Sequence, residues 1–379
     1  MRKKCVRAAW SFALCLSVAL AACDDENNEN DGPVVPPPVD ESIDLTASEA
    51  YANCFIVTEA DEYRFATRKV DGSDVEGIVS VDWLWSTKNA AGNPLVSEVS
   101  YKDGIVHFTS DGTEGNTVLA AFDAKGEVIW SWHLWMTDQP ELFAYDEGGE
   151  LMDRNLGALT TSVSDPSLRG LYYQWGRPAP FLHPSSVTST VPAAFISAAG
   201  YEYYVHDPLL DGGSVSMTPA RALAEPWAYW SGLYAGDSND IGDWVTPQNL
   251  NLWGNASRSG SYSTSSSKSI YDPCPPGWRV PAPAAFEQAS FSRTGTSRNN
   301  VYYLRSRTGT SVTYPLGGYF TGHAFRDNGT RVDVWTNAPA QLNGRCLSTS
   351  TAFTVSASAV DAAGHLQRDY ALPVRCVAE

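Results

Sequence analysis

The sequence predicts a multidomain, β-rich chain: an all-β sandwich over residues 45–140, then a loop-rich α+β domain over 145–379. Three observations predict it. From Leu45 to Met136, short runs alternating apolar and polar residues recur between turn signals, the pattern of half-buried strands at regular spacing. Beyond Asp138-Gln139-Pro140 strands become sparse, and long stretches rich in Gly, Ser, Pro and aromatic residues replace them. The remaining length is more than one core usually holds, so two domains are the default. With 13 Trp, 18 Tyr and 13 Phe against 4 Met, the composition suits broad aromatic cores.

The amino terminus fixes the expected compartment. Arg2, Lys3, Lys4 and Arg7 precede a run from Ala8 to Ala22 that is apolar apart from Ser11 and Ser17. That run is too short to span a bilayer comfortably and suits a signal-peptide core. Its end, Leu20-Ala21-Ala22-Cys23, resembles the lipobox of bacterial lipoproteins. The resemblance implies that residues 1–22 are a signal peptide and that Cys23, diacylated on its thiol, begins the mature chain. An ordinary signal peptide is the other reading. Two or three acyl chains on one cysteine hold firmly where a single chain anchors marginally.

Residues 23–44 read as a tether. Asp24-Asp25-Glu26 and the acidic stretch through Asp31 lead into Pro36-Pro37-Pro38, a stiff extended spacer. The acidic run also resembles the surface-export signal of Bacteroidetes lipoproteins, which implies an outer-membrane lipid anchor facing the exterior. Removing four cations with the signal takes the formal net charge from −17 to about −21. An acidic chain of this kind is a poor candidate for nucleic acid.

Each strand follows from its pattern. Cys54-Phe55-Ile56-Val57 is a short apolar run, read as a buried strand. Tyr63 to Thr67, Val81 to Trp85 and Gly104 to Phe108 continue the series. The clearest hairpin is Thr117 to Met136, turning at Asp123-Ala124-Lys125-Gly126, where glycine suits a positive φ. Alternation places Val128, Trp130, Trp132, Leu134 and Met136 on one face of the return strand, and Ile129, Ser131 and His133 on the other. In the second half, short helices are expected at Pro219–Ala224 and after Pro281, and Ser257 to Ser267 is a low-complexity loop.

Export also governs the cysteines. With Cys5 and Cys15 in the signal and Cys23 acylated, Cys54, Cys274, Cys346 and Cys376 remain, and an oxidising compartment permits three full pairings among them.

Several segments of the second half share one pattern: Met152-Asp153-Arg154-Asn155-Leu156-Gly157-Ala158, Gly170 to Arg177, Asp243 to Asn249, Leu252-Trp253-Gly254, Tyr271 to Pro281, and Leu372 to Val377. In order and spacing they resemble the Fibrobacter succinogenes major paralogous domain across about residues 145 to 379. The first half resembles a domain that often precedes it in Bacteroidetes lipoproteins, through Ala52 to Val57 and Trp130 to Trp135. The resemblance implies a C-type-lectin-like fold and likeness to fimbrial tip or minor pilin subunits. It also implies a bridge between Cys274 and Cys376, because such folds tie their first helix region to their last strand. Trp175 and Trp278 are expected in the core, each indole N–H pinning a nearby carbonyl.

Local chemistry is sparse. The six histidines make no metal-type spacing, and neither a Gly-x-Ser-x-Gly elbow nor a phosphate-binding glycine loop occurs. The related fold includes formylglycine-generating enzymes, for which Cys346 is the single candidate thiol in this domain, so the expectation is a protein that is not an enzyme. Asp237-Ser238-Asn239-Asp240-Ile241-Gly242-Asp243 partly imitates a calcium loop, making Asp237, Asn239 and Asp243 a weak calcium set, although Ile241 takes a ligand position. The plainer reading is a solvated turn. Trp227, Tyr229 and Trp230, with Tyr201, Tyr203 and Tyr204, are candidates to stack on sugar rings or anchor a protein, weighed against packing on one another. Two functions are expected: a surface adhesin or fimbria-associated subunit, and a glycan-capture lipoprotein of a polysaccharide-uptake system.

Overall fold

The computed structural model describes residues 40–145, 149–180, 195–198, 204–206, 218–232, 242–245, 247–254, 267–287, 292–293, 301–305, 311–322, 324–342 and 345–379. Cys23 and most of the tether lie outside them. The described residues are mostly β-sheet with two short α-helices and two short 3-10 helices. Its early strands are β1 (Ile43–Asp44), β2 (Cys54–Val57), β3 (Glu62–Ala66), β4 (Ser80–Thr87), β5 (Val96–Lys102), β6 (Ile105–Ser110), β7 (Gly115–Phe122) and β8 (Val128–Met136). β9 (Leu142–Tyr145), β10 (Gly149–Met152), β11 (Tyr173–Gln174) and β12 (Phe195–Ser197) follow.

The first half builds two sheets on one core. One sheet has the order β1-β3-β6-β5, the other β12-β4-β7-β8-β2. Phe65, Val106 and Phe108 from the first sheet meet Phe55, Leu119, Trp132 and Leu134 from the second. The Phe65 ring sits edge-on to Trp132 with centroids 5.2 Å apart. Aromatic pairs of this kind add to the energy of the area they bury.

The β7–β8 hairpin forms as the pattern predicts, with Gly126 at φ 80° in its turn. One facing differs. The register shifts between Ala121 and Phe122, so that Ala121 faces Trp130 and Phe122 faces Val128. This bulge transfers Val128 to a cluster with Leu84, Val118 and Ala120, and turns Ile129 toward the sandwich core. β5 escaped the sequence reading because its centre is polar and bulged, with Glu98 at φ 54°.

The face of β8 assigned to Ile129, Ser131 and His133 is buried at its last two residues, together with Trp135. The second half covers it. Cys54 and Trp135 share one core cluster with Met152, Leu156, Tyr173 and Trp175. β12 pairs antiparallel with β4, adding an edge to the first half's own sheet. Residues 41–379 form one compact unit. The second half therefore does not stand as an independently packed body.

Strands are not sparse beyond Pro140. Val332–Leu342, Arg345–Val355 and Val360–Gln367 form an antiparallel sheet with strands of 11, 11 and 8 residues. Register shifts around Pro339 and between Ala352 and Thr354 break the period-2 pattern that would have announced it. The helix Pro219–Ala224 lies where expected; the Thr218 hydroxyl caps it, accepting from Arg221 N at 3.2 Å. The second helix is a single turn, Ala284–Glu287.

Cys274 and Cys376 form a disulfide across 102 positions of sequence. Chain entropy assigns such a closure about 4–5 kcal/mol. Because the halves share a core, Cys274→Ser is expected to lower a single calorimetric transition of the whole unit by roughly 5 °C. Two resolved transitions, with only one displaced, would show that the shared core does not couple the halves.

Candidate functional site

Loops in the second half are ordered by side-chain donors. The Lys268 ammonium donates to the carbonyls of Cys274, Pro275 and Trp278 at 2.6–2.7 Å. Burial lowers its pKa, against the pull of Asp272 4.0 Å away. The Asp272 carboxylate accepts from Cys274 N and Val280 N at 2.8 and 2.9 Å. Burial nevertheless pushes it up to about 6. The Asn53 amide, from the first half, donates to the carbonyls of Ile270 and Asp272, and its own oxygen accepts from Trp130 Nε1. The segment Tyr271 to Pro281 is thus held by one buried cation, one buried carboxylate and one amide from the sandwich.

The candidate aromatics do not present a platform. Tyr229 and Trp230 are 0% and 1% exposed. Tyr229 packs edge-on to Phe320, and Trp230 lies flat on His206 with ring centroids 3.9 Å apart. Trp227 is half-buried and packs against both the central cluster and the outer sheet face. Tyr229 and Trp230 thus pack on Phe320 and His206 rather than on one another. Tyr201 and Tyr203 lie outside the described residues, as does the Tyr204 side chain.

Asp243 is the one described member of the calcium set; Asp237 and Asn239 lie outside the described residues. Its carboxylate is 1% exposed and is ion-paired with the Arg368 guanidinium. Its other oxygen accepts from Val245 N at 3.2 Å. Asp243 is therefore an internal ion-pair partner rather than the exposed end of a metal loop. Among the described residues, no group of His, Cys, Asp and Glu side chains is arranged to hold a metal ion.

A polar cleft of about 620 Å³ opens where the two halves meet. Glu114 and Asp138 line it from the first half; Arg154, Leu159, Thr160, Thr161, Asp165 and Ser167 line it from the second. Arg154 is fully engaged. Its Nε and Nη2 hold Asp153 at 2.9 and 3.0 Å, and its Nη1 and Nη2 hold Asp138 at 2.6 and 3.3 Å. Such bidentate pairing consumes the guanidinium as an anion binder. The cleft consequently offers carboxylate and hydroxyl oxygens under a negative field.

Beneath the seam lies a constellation that the sequence did not reveal. Cys54 Sγ is 3.3 Å from His133 Nδ1, and His133 Nε2 is 2.9 Å from Asn116 Oδ1. Nucleophile, base and orienting amide have the roles of a cysteine-based catalytic group. All three side chains are buried, at 0%, 1% and 5% exposure. Burial raises the Cys54 thiol and lowers the His133 imidazole to about 3, so both are neutral. A neutral thiol that touches no solvent is not a nucleophile. No short-range signal announced the group, since its residues come from three strands.

Across the same seam, Asn116 Nδ2 donates to Gly157 O at 3.0 Å, and Trp135 Nε1 donates to Ala158 O at 3.0 Å. Gly157 has φ 82°, and a Cβ there would stand 2.5 Å from Leu171 Cγ, so the Asn155-Leu156-Gly157-Ala158 turn requires glycine. No family model, curated protein or solved structure matches the chain.

Lys268 supports the most concentrated of these arrangements. Lys268→Met keeps the stem and strips three buried carbonyls of their donor, and is expected to cost about 3 kcal/mol or more in urea unfolding. A loss below about 1 kcal/mol would mean that water replaces the ammonium without penalty.

Proposed function

We propose that this protein is a lipid-anchored binding protein of the outer bacterial surface, an adhesin or fimbria-associated subunit, held through Cys23 and contacting its ligand at the cleft between its halves. The cleft carries the reading: it is roomy, polar and walled by elements fixed through buried hydrogen bonds. The Leu20-Ala21-Ala22-Cys23 sequence and the acidic, proline-containing tether support the anchor. For the second half we propose a C-type-lectin-like fold. Supporting it is the bridge from Cys274 to Cys376 beside the last strand Val377–Ala378, although the helix that follows Cys274, Ala284–Glu287, is the second described α-helix of this half and Pro219–Ala224 the first.

A glycan-capture role is the second reading. It is favoured by the hydroxyls of Thr160, Thr161 and Ser167 beside the carboxylates of Glu114, Asp138 and Asp165, groups that pair with sugar hydroxyls.

Two experiments test these proposals. Cys23→Ser is expected to abolish incorporation of a fatty-acid analogue and release the protein from membranes; label retained in the variant would overturn the anchor. Soluble protein from residue 40 onward should bind on a glycan array or to surface proteins of the producing cell. Thr161→Trp, which fills the cleft, should then weaken binding at least tenfold. Binding left unchanged would move the ligand site elsewhere.

A further inference from the structure

The buried group under the seam contains a proton count that its surroundings fix. Asn116 Nδ2 is committed to Gly157 O, so Asn116 presents its oxygen to His133 Nε2, which must carry the hydrogen. His133 Nδ1 is then a bare lone pair. Two donors converge on it: the Cys54 thiol at 3.3 Å from β2, and the Tyr173 hydroxyl at 3.5 Å from β11 of the second half. A proton added to Nδ1 would place a cation that is 1% exposed among three neutral side chains, with no carboxylate among the described residues facing it. The nearest relief is for Tyr173 and β11 to draw back and admit water to the imidazolium.

We propose that His133 is an acid-released latch: protonation of its Nδ1 opens the Cys54–Tyr173 seam locally and admits solvent between β2 and β11, while the sheets, including the pairing of β12 with β4, stay intact. The groups facing the imidazole are Cys54 on β2, Asn116 on β7 and Tyr173 on β11. Lys268 acts on Cys54 and is itself paired with Asp272 at 4.0 Å. Burial raises Cys54 and Tyr173, so neither supplies an anion to pair with the imidazolium.

The closed state holds His133 near 3, against about 6.5 when opened to water. The open state therefore binds the extra proton. Closure is fully favoured above pH 6.5 and weakens as pH falls toward 3. From pH 7 to pH 4 the opening equilibrium should rise about 200-fold. Three buried carboxylates act oppositely: Asp272 and Asp333 lie near 6 and Asp369 near 7, so the folded state gains protons there as pH falls. They support the fold over the range in which the latch weakens.

Cys54 is the reporter. The full chain is treated with dithiodipyridine at pH 7 and pH 4, rates are normalised to the unfolded chain at each pH, and peptide mapping assigns the label to Cys54. The latch predicts about 200-fold faster labelling at pH 4 with unchanged far-ultraviolet dichroism. In His133→Gln the acceleration should disappear. Equal acceleration in that variant, or labelling that appears only with global unfolding, would overturn the proposal. Should the variant not fold, nitrogen NMR of wild-type His133 decides. The latch requires hydrogen on Nε2 at pH 7, and a hydrogen found on Nδ1 would contradict it.

Discussion

A buried loop carries carbonyl groups that no ladder partner meets, and each needs a side-chain donor or water. Much of the second half is of this kind, and its sequence answers with indoles and cations. Trp175 Nε1 donates to Thr336 O, Trp244 to Trp175 O, Trp253 to Tyr271 O and Trp335 to Tyr173 O, all between 2.7 and 3.1 Å. Arg177, 1% exposed, donates to the carbonyls of Ala222, Glu225 and Ala228, closing the end of the helix Pro219–Ala224. The aromatic richness of the chain is thus a requirement of its irregular backbone. Each indole supplies a large apolar body and one fixed donor.

The same device crosses between the halves. Asn53, Asn116 and Trp135 reach from the sandwich to carbonyls of Ile270, Asp272, Gly157 and Ala158. These bonds lie against a shared apolar cluster, where low polarity makes a satisfied pair worth more and an orphan dearer. The cleft lies beside this seam, with Arg154 and its carboxylate partner Asp138 among the residues that line it. Its walls are consequently as firm as the seam beneath them.

Much of the sandwich was legible because a strand with one buried face writes its period into the sequence. Val128 and Ile129 were misplaced since a bulge leaves no mark in hydrophobicity. The burial of His133 was missed because a polar residue on a strand's second face reads as solvent-facing unless its partner is known. The conspicuous segments of the second half proved to be donor–acceptor hubs: Asp272 with Lys268 around Cys274, Arg154 at the seam, Asn155 between Arg169 and Arg375, and Gln174 and Arg177 around Trp230 and Ala228. Asp243 looked like a ligand because its partner Arg368 lies 125 positions away.

Hydrogen exchange at the indoles examines the central claim most directly. In the folded chain, the Nε1 hydrogens of Trp135, Trp175, Trp244, Trp253 and Trp335 all point to carbonyls, whereas those of Trp132 and Trp230 are buried without a hydrogen-bond partner. NMR should find the five bonded indoles protected to the same degree as the backbone amides of β8, with indole shifts displaced downfield of Trp132 and Trp230. Rapid exchange of those five while the β8 amides stay protected would contradict the account, because the loops would then be held by something other than their side-chain donors.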